Sequence, residues 1–176
     1  MPQRYFFALW PCKKLQKQYF TFSHQTLKSV HGKFVPKKNL HMTLAFLGEL
    51  NNKQLEEIFT IGNTIIAERF ELDLDRLGLW KQSQVVWLAP SYTPLPLKEL
   101  VSQLQQKLKD RGFTIDQRSF KPHMTLLRKA KHKPPAVTFQ PLAWQVDDFV
   151  LVKSTLCPEG AKYEVIKQWP LKSPDY

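Results

Sequence analysis

The sequence predicts an α+β protein built from two similar halves with mostly antiparallel strands, in a single domain over 1–176 that is long enough for one substantial core or two small lobes packed together. Three observations carry that prediction. The peptide His-Met-Thr-Leu occurs twice, at 41–44 and 123–126, and the copies lie nearly half the length of a 176-residue chain apart. Each copy sits in an apolar run that reads as a strand, so His and Thr share one face while Met and Leu share the other. Helical periodicity is confined to segments between further strand-like runs.

The elements follow in order. Arg4 to Trp10 is aromatic-rich, lacks Gly and Pro, and reads as a strand buried on both faces, stopped by Pro11. A weak helical stretch covers Lys13 to Phe22, and a loop with Gly32 and Pro36 leads into the first repeat strand, Leu40 to Leu47, ended by Gly48. Asn51 or Asn52 caps an amphipathic helix carrying Leu55, Ile58, Phe59, Gly62, Ile65 and Ile66. Glu71 to Asp75 alternates as a half-exposed strand, Leu79 to Gln84 turns the chain, and Val85 to Ala89 is a short apolar central strand. Pro90, Pro94 and Pro96 mark the junction of the halves. Beyond it Leu97, Leu100, Val101, Leu104 and Leu108 form the clearest helical stripe, ending near Gly112. After the second repeat, Lys129 to Lys133 is a basic loop. Val137 to Val146, Phe149 to Ser154 and Tyr163 to Trp169 are strands, with a hairpin turn over 158–160 and a frayed tail after Leu171.

Composition narrows the function. With 26 Lys plus Arg against 15 Asp plus Glu, the net charge is +11, which favours a polyanionic partner such as nucleic acid or an anionic membrane; a basic surface that only confers solubility is the plainer alternative. The two cysteines, Cys12 and Cys157, signal neither a disulfide framework nor a thiolate zinc site, in keeping with a reducing cytoplasm. No run approaches the roughly 20 apolar residues of a membrane-spanning helix, and the short apolar segment before Pro11 is no signal sequence. The expectation is a soluble cytoplasmic protein with no membrane partner.

The duplicated motif carries the chemistry. An imidazole exists in both protonation states near neutrality, so two facing histidines can act as general acid and general base on opposite sides of a phosphorus atom. The neighbouring threonine hydroxyls can stabilise the growing charge on phosphate oxygens. A single His-Met-Thr is ordinary in a strand; duplication with both polar pairs turned from the apolar face points to His41, Thr43, His123 and Thr125 as a catalytic set. His24, His31 and His132 lie in polar stretches and read as surface residues. No HxH, HExxH or carboxylate cluster accompanies the motifs, so no metal ligand is assigned. A GxSxG elbow and a GxxxxGK[ST] loop are also missing.

At these residues the sequence resembles the 2H phosphoesterases, and among them the RNA 2′,3′-cyclic phosphodiesterases, also called 2′-5′ RNA ligases. The likeness runs through Arg4 to Leu9, Asn39 to Glu49, Val85 to Leu88, Lys121 to Arg128 and Tyr163 to Leu171. The resemblance implies a bilobal, pseudo-symmetric α+β fold with two mostly antiparallel sheets flanking a central groove and helices outside, and a metal-independent, ATP-independent reaction without cofactor. By position His41 matches the family's proton donor and His123 its acceptor; the residues themselves leave those two roles open. The implied reaction opens an RNA terminal 2′,3′-cyclic phosphate to a 2′-phosphate, and a 5′-hydroxyl in place of water gives a 2′-5′ linkage. The implied partner is RNA with such an end, tRNA halves among them, bound by a monomer. Arg128 matches a basic position of the family and is a candidate phosphate ligand. Phe7 or Trp10 offers a ring for the terminal base, with core packing in an apolar strand as the alternative role, and Lys37, Lys38 and the 128–133 segment offer charge for the backbone or simply face solvent. Alternatives are a non-catalytic RNA-binding module and a phosphodiesterase of small cyclic nucleotides.

Overall fold

Strand β1 (Gln3–Leu9) is buried at every residue from Tyr5 to Leu9, as an aromatic run with no polar face requires. The computed structural model describes residues 3–116, 118–158 and 160–173. After β1 come helix α1 (Lys13–Thr26), strand β2 (Lys33–Phe34), a 3₁₀ turn over Lys37–Asn39, β3 (Met42–Gly48) and α2 (Asn52–Asn63). The chain continues through β4 (Phe70–Trp80), β5 (Val85–Pro90), α3 (Leu95–Asp110), β6 (Met124–Arg128), β7 (Leu142–Val146), β8 (Asp148–Cys157) and β9 (Gly160–Pro170).

The strands form one curled nine-stranded sheet in the order β7-β4-β5-β6-β3-β1-β8-β9, with β2 beside β6. All named strand pairs are antiparallel. The expectation of two separate sheets is therefore corrected. The two repeat strands, β3 and β6, bond to each other directly, with Met42 opposite Met124 at the seam between the halves. Both methionines are fully buried.

One face of the sheet packs against the helices. Leu97, Leu100, Val101, Leu104 and Leu108 of α3 enter the main core with Phe7, Leu9, Met42, Leu44, Met124 and Leu126. Asn51 starts α2 with a reciprocal capping box, its side chain accepting from the Gln54 N–H and its own N–H donating to the Gln54 side chain. Gly62 lets α2 lie on the Trp169 ring, where an added Cβ would come within 2.3 Å of Cζ2. The opposite face carries a smaller cluster, Phe6, Ala8, Val150 and Val152, with Trp10 and Tyr163 against it.

Several boundaries differ from the sequence reading. Helix α1 runs on to Thr26, and His24 rides on it between the Phe20 and Phe34 rings instead of standing in a loop. Helix α2 stops at Asn63, where the Thr64 hydroxyl donates to the Ile61 carbonyl, so Ile66 lies outside the helix and exposed. Strand β4 extends to Trp80, which shortens the turn to 81–84. The strand expected over 137–146 begins only at Leu142, after Pro141, which has no N–H for the ladder. Glu159 of the expected turn and the last tail residues, 174–176, lie outside the described residues. Among the described residues no helix is long and apolar enough to cross a membrane.

Candidate active site

The seam positions the duplicated motifs. Because Met42 and Met124 point into the core as an opposed pair, the residues on either side of each point to the other face. The antiparallel register then sets His41 across from Thr125 and Thr43 across from His123. The two imidazoles occupy a diagonal, a relation that puts the residues about 7–8 Å apart and their Cβ atoms somewhat closer. All four residues are half-buried. His41 and His123 each directly precede the first residue of their strand.

Both rings are held the same way. His41 Nδ1 lies 2.6 Å from the Asn39 carbonyl and His123 Nδ1 lies 2.7 Å from the Lys121 carbonyl. A carbonyl only accepts, so Nδ1 carries the proton in both rings and the neutral tautomer leaves Nε2 as the acceptor. The Thr43 hydroxyl, 3.1 Å from His41 Nε2, donates to it in that state. Asn39 is itself buried and donates from Nδ2 to the Ala161 carbonyl at 3.2 Å, which anchors the 3₁₀ turn beneath His41.

The surroundings of the two rings are unequal. Trp10 stacks on His41 at 5.2 Å and 18°, Tyr163 meets it edge-on at 5.3 Å, and Phe6 is 5.0 Å away. His123 has Trp80 edge-on at 4.4 Å. Burial pushes His41 down from the usual 6.5 to about 4, against the upward pull of the Asn39 carbonyl and with help from the charges of Arg128 and His123. His123 is lowered too, first by burial and then by Arg128, against its Lys121 bond. Both imidazoles are therefore neutral in the unliganded protein near pH 7.

Phe7 does not reach the groove. It is fully buried on the helix side, packed on Phe149 and Trp169, and the aromatic residues that the N-terminal segment brings to His41 are Phe6 and Trp10. Alternation along β1 separates the two faces, and the pairing of Ala8 with Thr43 decides which one looks into the groove.

Two β-bulges shape the rest. In β6, Trp87 pairs with Thr125 but Val86 pairs with Leu127, so Leu126 is the extra residue. Leu126 and Leu127 are both buried, and the parity beyond them is reversed, which turns Arg128 to the face of Thr125. In β3, Ala8 pairs with Thr43 and Phe7 with Ala45, so Leu44 is extra and Phe46 turns to the face of Thr43. The corresponding position of the two copies is thus an arginine in one half and a phenylalanine in the other. Arg128 is exposed and its charge reaches both imidazoles. Lys38 is exposed on the 3₁₀ turn beside Asn39.

A cavity of about 1130 Å³ opens beside His123 and Thr43, with Phe46, Trp80, Phe120 and Lys121 among its walls. Trp80 is fixed from behind by Trp87, 5.8 Å away, whose ring fills the space over Gly78, where a Cβ would fall within 2.1 Å of it. Sequence reasoning missed Phe6, Asn39, Phe46, Trp80 and Tyr163. The HMTLAF and HMTLLR copies, set one over the other, align Phe46 with Arg128, but only the bulges reveal that both face the groove. Among the described residues no cluster of three or more His, Cys, Asp or Glu is placed to hold a metal ion.

Comparison with known proteins shows which family and fold the chain shares. The family described as LigT like Phosphoesterase matches twice, over residues 12–87 and 88–163, one repeat motif falling in each match. The chain is 33% identical over 174 residues to the RNA 2′,3′-cyclic phosphodiesterase of Escherichia coli (strain K12), covering 97% of each chain. A second such enzyme, from Methanocaldococcus jannaschii, is 32% identical over 149 residues, covering 78% of this chain and 83% of that one. The apo crystal structure of E. coli LigT superposes with a TM-score of 0.87 at 32% identity, over 98% of this chain and 99% of that one.

Proposed function

The chain belongs to the LigT like Phosphoesterase family, and from that membership and the groove we propose that it opens the 2′,3′-cyclic phosphate end of an RNA to a 2′-phosphomonoester. The observation that carries this reading is the diagonal pair of imidazoles, each with Nδ1 tied to a backbone carbonyl and each with a threonine hydroxyl across the seam.

In this reading the phosphate sits between the rings. His123 Nε2 takes a proton from water, the oxygen attacks phosphorus in line, and the bond to the 3′-oxygen breaks as His41 Nε2 delivers a proton to it. Thr43 and Thr125 donate to the non-bridging oxygens, and Arg128, turned inward by the bulge, offsets their charge. The depressed pKa of His41 makes its protonation depend on the substrate. An adjacent phosphodiester anion favours the imidazolium, and the faces of Trp10 and Phe6 stabilise that cation by about 0.5–2 kcal/mol once formed. His41 then carries its proton when there is a leaving group to receive it.

The test is incubation of the purified protein with an oligonucleotide ending in a 2′,3′-cyclic phosphate, with EDTA present. The expected product ends in a 2′-phosphate. A 3′-phosphate product would reverse the assigned leaving group, and binding without turnover would leave only an RNA-binding module.

A further inference from the structure

Residues 1–48 and 117–146 contain no Asp or Glu, yet they carry most of the Lys and Arg of the chain. The fold lays these two segments against each other. Strand β2 pairs with β6 at Lys33–Arg128 and Phe34–Leu127. The Val35 N–H donates to the Leu126 carbonyl at 2.9 Å and the Lys131 N–H to the His31 carbonyl at 3.0 Å. The His31 and His132 rings meet edge-on at 6.2 Å. Gly32 permits the approach, since a Cβ there would fall 2.5 Å from Leu127 Cδ2 and 2.9 Å from the Arg128 carbonyl oxygen.

The pairing gathers cations. Residues directly opposite on antiparallel strands share a sheet face, so Lys33 stands with Arg128 on the groove face, while Phe34 turns to α1 and stacks on His24. Lys33, Arg128, Lys129 and Lys131 are all exposed, and no ion pair among the described residues involves them. Like charges directly opposite on neighbouring strands destabilise a sheet, so this end of β2 and β6 calls for an anion.

Its place in the groove says which anion. Strand β6 runs antiparallel to β3, so the residues after Thr125 lie past His41 and away from His123. The basic face is therefore at the His41 end of the seam, opposite the cavity beside His123. In the opening reaction the leaving 3′-oxygen belongs to the terminal ribose, which also holds the 2′-oxygen, so that ribose lies toward His41. The rest of the RNA hangs from the same ribose through its 5′-oxygen and starts from this end.

We propose that the acid-free face at the β2–β6 end is a second binding site, for the backbone phosphates of the nucleotides that precede the cyclic end, so that the protein selects RNA chains over mononucleoside cyclic phosphates. The inference rests on the hydrolytic reading above and adds the path of the chain and the preferred length of substrate. Arg128 serves the reacting phosphate, and Lys33, Lys129 and Lys131 serve those upstream. An anionic bilayer also suits a basic face, but continuity with the groove through the Lys33–Arg128 pair favours RNA.

The experiment gives the protein two substrates, a nucleoside 2′,3′-cyclic monophosphate and an unpaired oligonucleotide with the same terminal nucleotide, over a range of salt. Each lysine that neutralises one phosphate of a single strand contributes about −0.7 to the slope of log affinity against log salt, a factor of about five at ~0.1 M. Lys33→Ala and Lys131→Ala are each expected to raise the oligonucleotide KM about fivefold at ~0.1 M salt and to flatten its salt dependence by about 0.7. Turnover of the mononucleotide is expected to stay within about twofold of wild type, which reports that each variant is folded. Three results would overturn the proposal while the hydrolytic reading stands: a wild-type KM equal for both substrates, variants with unchanged oligonucleotide KM and salt slope, or a parallel loss on both substrates. Variants that bind phosphatidylserine vesicles more weakly with the oligonucleotide KM unchanged would overturn it in favour of a membrane surface. Turnover of neither substrate by the wild-type protein would remove both readings together.

Discussion

Replacing Trp10 by Ala tests whether the aromatic enclosure sets the proton affinity of His41. The indole stacks on the imidazole at 5.2 Å, and burial is the largest cause of the depression from 6.5 to about 4. That gap corresponds to roughly 3 kcal/mol of lost imidazolium solvation, taking 1.36 kcal/mol per pKa unit. Removing one of three rings admits water to one face, and a third to a half of the penalty should be recovered, about one pH unit upward. Loss of the ring's attraction for the cation opposes this by about 0.5–1 kcal/mol and reduces the movement without reversing it. The assay is an NMR titration of the His41 ring nitrogens in wild type and variant. At neutral pH the Nδ1-protonated tautomer is expected in both, since the Asn39 carbonyl is untouched. A His41 titration point that stays put or falls in Trp10→Ala would refute burial as the controlling cause.

His41→Ala and His123→Ala are each expected to lower turnover at least about a hundredfold, the usual contribution of general acid–base catalysis, measured by steady-state kinetics on a cyclic-phosphate oligonucleotide. Arg128→Ala should reduce kcat/KM by about tenfold or more, as loss of a charged hydrogen bond implies; it should also raise the titration points of both histidines, because its charge now lowers them. Gly78→Ala forces a Cβ into the Trp87 ring and should cost about 1–3 kcal/mol by overpacking, read from denaturant unfolding. Acid should weaken the fold through His41. The unfolded chain takes up this proton near pH 6.5 and the native state only near 4, so stability complete above 6.5 is lost as pH falls toward 4, by up to roughly 3 kcal/mol. Unfolding of His41→Asn at pH 7 and pH 4.5 should show a smaller acid loss than wild type.

The sequence alone determined a good deal of this protein. Duplication located His41, Thr43, His123 and Thr125, and the period of two placed them on the face away from Met42 and Met124, because alternation within a strand is a local property of the backbone. The α3 stripe was legible for the same reason, since Leu97 to Leu108 repeat at the helix period and all point to one side. What lies beyond one strand was decided only by pairing with another. Phe6 and Phe7 are adjacent aromatic residues in a strand buried on both faces, and nothing local says which one looks into the groove; the register of Ala8 against Thr43 settles it. Arg128 and Phe46 reach the groove through bulges at Leu126 and Leu44, which exist only relative to β5 and β1. Likewise the seam at Met42 and Met124 makes one sheet where two were expected. The rings of Trp10 and Tyr163 are separated by most of the chain, and only the folded sheet brings both to His41.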